Sequence, residues 1–453
     1  MIRRLFLLCI CLGGLSAVWA QDTLLTRETA VTLALENNFG IQVARNQVEV
    51  ADNNASLLNS GYLPTLTGIA GANYSRNNSR TEFPGQFDEN GNPVPDVEIN
   101  DAETQQYTGS LNVNYTLFDG LGRYYNYKSL KERYALSELQ ARETIENTIL
   151  QLFSVYFEVA RLSENERIFE EALRISRDRI TRAEYAFEFG QNTKLDILNA
   201  QVDVTNDSIN LLSARQQLAN VKRDLNVVLS RDLNAGFEVD TVIRFIPRPQ
   251  LEAYIETAMQ YNVAILQTAR NLTINEYDIK INRSGYLPTI GLNGSYGWNR
   301  TQSPPRVFGA FTAPGTNTIS NNLALGATLT WNLFDGGGTT VRVKNARIAF
   351  ENQELLKKQV ELEVARDIEN ALAIYENRLE IFHIQEQNVQ TNQNNFERSR
   401  EQFQLGRITS IEFRQAQINL LNALTNKNLA KYDAKLAEIQ LLQLTGQLLN
   451  LEF

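Results

Sequence analysis

Four stretches of the chain alternate apolar and polar residues with a period of two. In the first, Leu66, Gly68, Ala70, Ala72 and Tyr74 share one face, opposed by Thr65, Thr67 and Asn73. In the second, Tyr107, Gly109, Leu111, Val113, Tyr115 and Leu117 alternate with Thr108, Ser110, Asn112, Asn114 and Thr116. The third sets Ile290, Leu292, Gly294, Tyr296 and Trp298 against Thr289, Asn293, Ser295 and Asn299. The fourth sets Leu323, Leu325, Ala327, Leu329, Trp331 and Leu333 against Thr328, Thr330 and Asn332. This alternation predicts strands with one dry and one wet face. The wet face is uncharged, aromatic residues stand near the ends of the dry one, and each segment is close to the ~10 residues that cross a bilayer as a tilted strand. Taken alone, the pattern also suits two hairpins of a soluble sandwich.

Between the paired segments, residues 75–105 and 299–321 are rich in turn signals such as Pro84-Gly85, Asn90-Gly91, Pro304-Pro305 and Pro314-Gly315. They predict external loops with little regular structure. The rest of the chain changes period. Residues 122–187 and 339–403 contain no proline and predict helices of roughly 100 Å, each followed by a return helix, 195–229 and 411–444. Pro247 and Pro249 punctuate the middle of the chain, and Pro249 suits a first helical position. Apolar residues step by three and four at Phe169, Leu173, Ser176, Ile180, Ala183 and Phe187, and again at Leu198, Val202, Thr205, Ile209 and Leu212. A third seam, Leu379, Phe382, Glu386, Val389, Gln393, Phe396, Arg400 and Phe403, is half polar. Seams this narrow have coiled-coil spacing rather than the broad stripe of a solid core. They predict a hollow bundle of paired helices.

These elements occur twice. Ser60-Gly-Tyr-Leu-Pro-Thr-Leu66 returns as Ser284-Gly-Tyr-Leu-Pro-Thr-Ile290, Leu117-Phe-Asp-Gly120 as Leu333-Phe-Asp-Gly336, and Phe187-x-x-Gly190 as Phe403-x-x-Gly406. Asn38 matches Asn262 at an offset of 224, and the offset falls to 216 from Leu-Phe-Asp-Gly onward. The second copy therefore lacks eight residues between Thr289 and Trp331, and such length changes concentrate in exposed loops. The repeat divides the chain into residues 21–246 and 247–453. Each contains a helix, a strand hairpin (about 62–118 and 286–334), a long helix, a tip (187–196 and 403–412) and a return helix.

Composition narrows the setting. Residues 1–20, with Arg3-Arg4, an apolar run from Leu5 to Leu12 and a small-residue end at Ala20, form a secretory signal, giving a mature start at Gln21. Both cysteines, Cys9 and Cys11, leave with it, so neither a disulfide nor a thiolate metal site is available. Loss of Arg3 and Arg4 takes the formal net charge from −9 to −11, which argues against a nucleic-acid partner. No mature segment has the apolar length of a membrane helix. Secretion and an uncharged wet face favour membrane strands, yet four strands cannot close a barrel and open edges cannot face lipid. Several chains must pool their strands.

Leu25-x-Arg-Glu-x-Ala-Val-x-Leu-Ala-Leu-Glu-Asn-Asn38, the paired Gly-Tyr-Leu-Pro entries and Leu-Phe-Asp-Gly exits, and the two tip segments Phe187-x-x-Gly-x-x-x-x-Leu-Asp-x-Leu-x-Ala200 and Phe403-x-x-Gly-x-x-x-x-Ile-Glu-x-x-x-Ala416 resemble the TolC-like outer-membrane efflux family. The resemblance covers nearly all of the mature chain. It implies a mixed α and β fold in which four transmembrane β-strands per chain contribute to a trimeric twelve-stranded barrel. A long α-helical periplasmic barrel of coiled-coil-like helices would continue it. It further implies a homotrimer in outer-membrane lipid that works with a periplasmic adaptor and, through it, an inner-membrane transporter, as an export channel. Members of the family carry drugs, metal ions, polysaccharide or polypeptide.

By position in the family, Gly190, Leu195, Asp196, Ala200, Gly406, Ile411, Glu412 and Ala416 are the candidate adaptor-docking residues of the tips. Each taken singly suits a structural role, glycine as terminator and Leu or Ile as packing. Glu412 matches an acid that rings the closed tunnel mouth in related channels. Gln415 and Ile408 stand where relatives place a second acid and a basic partner, so the implied periplasmic gate differs here. His383 is a surface or seam residue, and Gly336-Gly-Gly338 lacks the spacing of a dinucleotide fingerprint. Phe453 is a terminal aromatic with no alternating strand before it, and the charges of 161–182 read as a solvated face. No nucleophile–base pair, metal cluster, cofactor site or phosphate loop is legible, so an enzyme is not expected. A passive porin and a secreted coiled-coil scaffold or adhesin remain as alternatives.

Overall fold

A computed structural model describes residues 23–308 and 311–450. Residues 1–20, expected to be a secretory signal, with Cys9 and Cys11, lie outside the described residues, as does Phe453. In chain order the elements are β1 (Thr23–Leu25), α1 (Arg27–Asn37), α2 (Phe39–Asn54), β2 (Thr65–Thr81), β3 (Val97–Phe118), α3 (Gly122–Glu188), α4 (Lys194–Val228) and β4 (Phe237–Val239). Then follow α5 (Arg248–Tyr261), α6 (Val263–Ser284), β5 (Thr289–Ser303), β6 (Arg306–Phe308), β7 (Phe311–Ala313), β8 (Thr316–Thr330), α7 (Gly338–Gln404) and α8 (Ser410–Leu444). Contacts divide them into two units, one of residues 48–138 and 268–358, the other of residues 1–47, 139–267 and 359–453. Among the described residues no helix is long and apolar enough to cross a membrane.

The first unit carries an antiparallel sheet in the order β2-β3-β5-β8. Its register puts Leu66, Val113, Gly294 and Leu325 in one lane, and Gly68, Leu111, Tyr296 and Leu323 in the next lane of the same face. Thr65, Asn114, Asn293 and Gly326 share a lane on the other face, so the predicted dry and wet faces both form. Among the described residues β2 and β8 each pair on one side only.

The strands correct the expectation of irregular loops at 75–105 and 299–321. The β2–β3 ladder continues to Thr81↔Val97 across a bulge near Asn77. The β5–β8 ladder runs to Ser303↔Thr316, with β6 and β7 forming a small hairpin beyond. Alternation disappears there because both faces are polar, not because pairing stops. Ion pairs Arg76–Asp101 and Arg80–Asp96, both 2.7 Å, take over from apolar contacts. At the other end the fourth strand is shorter than its alternation suggests. It stops at Thr330, and Trp331 turns its indole N–H to the Tyr286 carbonyl at 3.1 Å. Leu117 sits at a register shift between Thr116 and Phe118.

The repeated Leu-Phe-Asp-Gly has a capping function. Asp119 accepts the Arg123 N–H at 2.9 Å and Asp335 the Thr339 N–H at 2.8 Å, covering free donors at the starts of the 67-residue helices α3 and α7.

The second unit holds the main core. Phe153, Tyr156, Phe157, Leu225, Phe237, Ile439, Leu441 and Leu442 are buried together. Here β1 and β4 form a parallel pair that no periodicity announced. The Tyr156 hydroxyl donates to the Leu25 carbonyl at 2.7 Å and accepts the Asp240 N–H at 3.0 Å, tying both strands to α3. Burial pushes this phenol up to about 12.

The repeated asparagines break the leading helices. Asn38 and Asn262 take extended backbone conformations between α1 and α2 and between α5 and α6. Each carboxamide donates to the end of a return helix, Asn38 to Val228 O at 2.9 Å and Asn262 to Leu444 O at 2.8 Å. Each amide oxygen accepts from the start of the next helix, at Gly40 and Ala264. Pro249 occupies the second rather than the first helical position, since α5 begins at Arg248. Packing of α4 departs from the expected seam. Ala200, Asp207, Leu211, Ala214 and Leu218 face inward, while Leu198, Val202, Ile209 and Leu212 are exposed in the single chain. Small residues allow the closer helix approach, which leaves the larger aliphatic stripe outside.

The return helices end alike. Gly446, φ +71°, closes α8 through Gln447 N–H to Leu442 O at 2.9 Å. Ser230 closes α4 with φ +50°. A Cβ on Gly446 would lie 2.4 Å from the Tyr261 carbonyl oxygen. Gly446→Ala should therefore lower the melting temperature followed by far-ultraviolet circular dichroism. Ser230→Gly should raise stability by about 0.5–1 kcal/mol by relieving a left-handed serine. Opposite signs at these equivalent positions are the expected result, and equal effects would contradict the cap assignment.

Candidate functional site

The two tips are built to one plan. The chain leaves α3 through Gly190, φ +73°, with Gly190 N–H donating to Phe187 O at 3.0 Å and Gln191 N–H to Ala186 O at 2.7 Å. It leaves α7 through Gly406, φ +69°, with Gly406 N–H to Phe403 O at 3.1 Å and Arg407 N–H to Gln402 O at 2.9 Å. Both are Schellman closures, and a left-handed residue without a Cβ is what they require. The Phe-x-x-Gly spacing follows, because Phe supplies the carbonyl accepted by the glycine amide.

The return helices open with matching caps. Thr409 N–H donates to Glu412 Oε2 at 2.7 Å, and Glu412 N–H donates to Thr409 Oγ1 at 3.2 Å. In the first tip Thr193 N–H donates to Asp196 Oδ2 at 2.9 Å. Hydrogen bonds from Thr409, the backbone one first, hold the Glu412 carboxyl below its ordinary range. Those from the Thr193 hydroxyl and amide do the same for Asp196.

The remaining predicted residues separate by exposure. Leu195 and Ile411, equivalent in the repeat, are 64% and 71% exposed, whereas Ala200 and Ala416 are buried where the helices approach. Ile408 packs against the cluster of Phe396, Phe413 and Leu420. Gln415 donates to Asn419 at 2.8 Å on the surface. The structure thus gives Ile408, Glu412 and Gln415 three different environments within the chain.

A set of charges that the sequence did not reveal ties the two tip hairpins together. Arg414 on α8 grips Asp207 on α4 with both terminal nitrogens, at 2.7 and 2.8 Å, and Ser176 on α3 donates to the same carboxylate at 2.5 Å. Arg179 donates to Asp203 at 2.9 Å and to the Ser410 hydroxyl at 2.8 Å. Burial pulls the Arg179 guanidinium down, with Asp203 acting against it. Arg179 is 5% exposed and Asp207 2%, which corrects the reading of the charges at 161–182 as a wholly solvated face. Asp203 and Asp207 stand one turn apart on α4. Their partner Arg414 lies 207 positions beyond Asp207 in sequence. Next to the cluster, Phe403 and Phe413 stack at 4.9 Å, under Arg182 and Arg179 respectively.

Comparison with known proteins decides the family. The outer membrane efflux protein family model matches residues 30–230 and 254–447. The chain belongs to this family. Outer membrane efflux protein BepC of Brucella suis biovar 1 is 22% identical over 96% of this chain and 90% of its own length. Outer membrane protein TolC of Vibrio cholerae is 23% identical over 96% of this chain and 93% of its own. The fold is similar to that of the Campylobacter jejuni CmeC outer membrane channel, with a TM-score of 0.72 at 18% identity, over 93% of this chain and 86% of that one. As a member of the outer membrane efflux family the protein is an outer-membrane channel component, and members of the family are transport channels.

Asp207→Ala should cost about 3 kcal/mol of unfolding free energy, because it removes the carboxylate that Arg414 grips with both nitrogens and leaves the half-buried guanidinium only the Asp203 carboxylate, at 3.4 Å. The double variant Asp207→Asn/Arg414→Gln should cost less than that single change, as read by denaturant unfolding. The caps carry a pH signature. A depressed folded pKa gives stability that is present at neutral pH and lost as pH falls through the folded value. Hydrogen exchange of the tip amides, corrected for intrinsic rate, should be unchanged from about pH 7 to about pH 5 and faster near pH 3.

Proposed function

We propose that three chains close one barrel from four strands each and continue it as a helical duct through the periplasm. The tips of the duct would dock a periplasmic adaptor, and substrate would pass from an inner-membrane transporter through the duct to the exterior. The observation that carries this reading is the sheet with two open edges, β2 and β8, in a chain of an outer-membrane channel family. Edge groups in hydrocarbon need partners, and another copy of the same sheet supplies them in register. The exposed aliphatic stripe Leu198, Val202, Ile209 and Leu212 supports a neighbouring helix in the assembly. The 67-residue helices α3 and α7 have no use in a passive porin, which favours the duct.

Within this reading Gly190 and Gly406 set the turn, Asp196 and Glu412 fix the helix starts, and Ala200 and Ala416 set the helix spacing. Leu195 and Ile411 present the apolar contacts to the adaptor. Glu412 also brings a negative charge to the tunnel mouth. With Ile408 in an apolar cluster and Gln415 on Asn419, an acid–base lock at those positions has no basic member.

Photocrosslinkers placed at Gln191 and Arg407 should capture a periplasmic adaptor in cells, and Leu195→Asp or Ile411→Asp should reduce capture while leaving the oligomer intact. A purified protein that is monomeric after native insertion, or tips that capture nothing periplasmic, would defeat the proposal.

A further inference from the structure

The start of α3 carries a basic and aromatic patch that the second copy of the repeat lacks. Arg123-Tyr-Tyr-Asn-Tyr-Lys128 begins five residues after the end of β3, and Lys131 lies one turn beyond Lys128. The Lys128 ammonium sits 4.8 Å from the Tyr124 ring centre and the Lys131 ammonium 4.6 Å from that of Tyr127. Tyr127 meets Tyr62 edge-on at 6.3 Å, and Arg123 lies 5.3 Å from the Tyr62 ring while donating to Gly61 O at 2.9 Å. Arg123 is committed to Asp119 at 3.2 Å. Among the described residues Lys128 and Lys131 have ring partners and no carboxylate within ion-pair distance. The nearby Glu132 is taken by Arg270 at 3.0 Å.

The repeat is an internal control. At the offset of 216, Lys344 and Arg347 preserve the two charges, but Thr340 and Val343 replace Tyr124 and Tyr127. Shared architecture therefore does not require the rings. Placement supplies the chemistry. The interfacial layer is roughly 5–8 Å deep on each side of a bilayer core. Lys128 lies roughly 9 Å along α3 from its first residue. Helical side chains lean toward the helix N-terminus, and here both ammonium groups reach one turn back toward the strand end, over Tyr124 and Tyr127. The positive end of the helix dipole points the same way.

We infer that this patch binds the headgroup of an anionic phospholipid of the periplasm-facing leaflet, with Lys128 and Lys131 on the phosphate and Tyr124 and Tyr127 beside the glycerol. The inference rests on the reading of the sheet as embedded in the bilayer. Cation and ring together select a ligand with a phosphate at one end and an apolar body at the other.

The test uses the full mature protein, delipidated in mild detergent and titrated with phosphatidylglycerol under native mass spectrometry. Lys128→Gln/Lys131→Gln should weaken uptake roughly tenfold or more. Tyr124→Ala/Tyr127→Ala should also weaken it, and Lys344→Gln/Arg347→Gln should leave it unchanged. Phosphatidylcholine should be taken up less well, and inorganic phosphate should not displace the bound lipid. Equal uptake by all variants, or displacement by inorganic phosphate, overturns the site. So does loss of the oligomer in lipid-free detergent on changing the lysines, which would make the patch a subunit contact. Wild-type protein that is oligomeric but takes up no phosphatidylglycerol refutes the lipid site and leaves the duct intact, whereas a monomeric wild type refutes the duct.

Discussion

The outer edges of β2 and β8 govern the rest of this molecule. Every second residue along them directs a backbone N–H and C=O away from the sheet, and in hydrocarbon each such group left bare costs several kcal/mol. Among the described residues nothing else pairs with either edge. A side-chain device could shield a short edge, but β2 runs for 17 residues and β8 for 15. In the proposed assembly the remedy lies in other copies, and the chain is a segment rather than a finished object. In the proposed assembly the exposed aliphatic stripe of α4 is the counterpart of these edges in the helical part.

Where the helical part does complete itself, it uses polar groups as much as apolar ones. Asn38 and Asn262 join three helix ends apiece, and Asp207 gathers Ser176 and Arg414 from two other helices. Narrow seams with polar members provide little hydrophobic area per turn, and they leave helix register poorly determined. A buried carboxylate that needs a particular guanidinium tolerates few registers. The tips are thus positioned by specific pairing more than by bulk burial.

The alternating strands, the long helices and the two turns could be read directly, since each follows from a local rule: period two, absence of breakers, and glycine after a fixed spacing. The polar ends of β2, β3, β5 and β8 could not, because periodicity marks a strand only where its two sides meet different surroundings. The strand pair β1–β4 is three residues long on each side and separated by most of the first half of the chain, too short for any pattern. At the tips, Gly190 and Gly406 were recognisable from the turn spacing, and Asp196 and Glu412 only by their position in the family; their capping role was not. Arg179, Asp207 and Arg414 were not, since a charge on a helix looks alike in sequence whether it faces water or a partner. The stripe Leu198, Val202, Ile209 and Leu212 looked like an internal seam for the complementary reason: sequence shows which residues are apolar but not which molecule covers them.

The order β2-β3-β5-β8 places different edges at the two sides of each sheet, so in the proposed ring a joint between copies is β8 of one chain against β2 of the next. Head-to-tail joints of this kind close into a ring only when every member has both ends sound. An allele that damages one edge would then act dominantly: its product still enters assemblies through the healthy edge, and most rings formed in a mixed cell contain at least one broken joint.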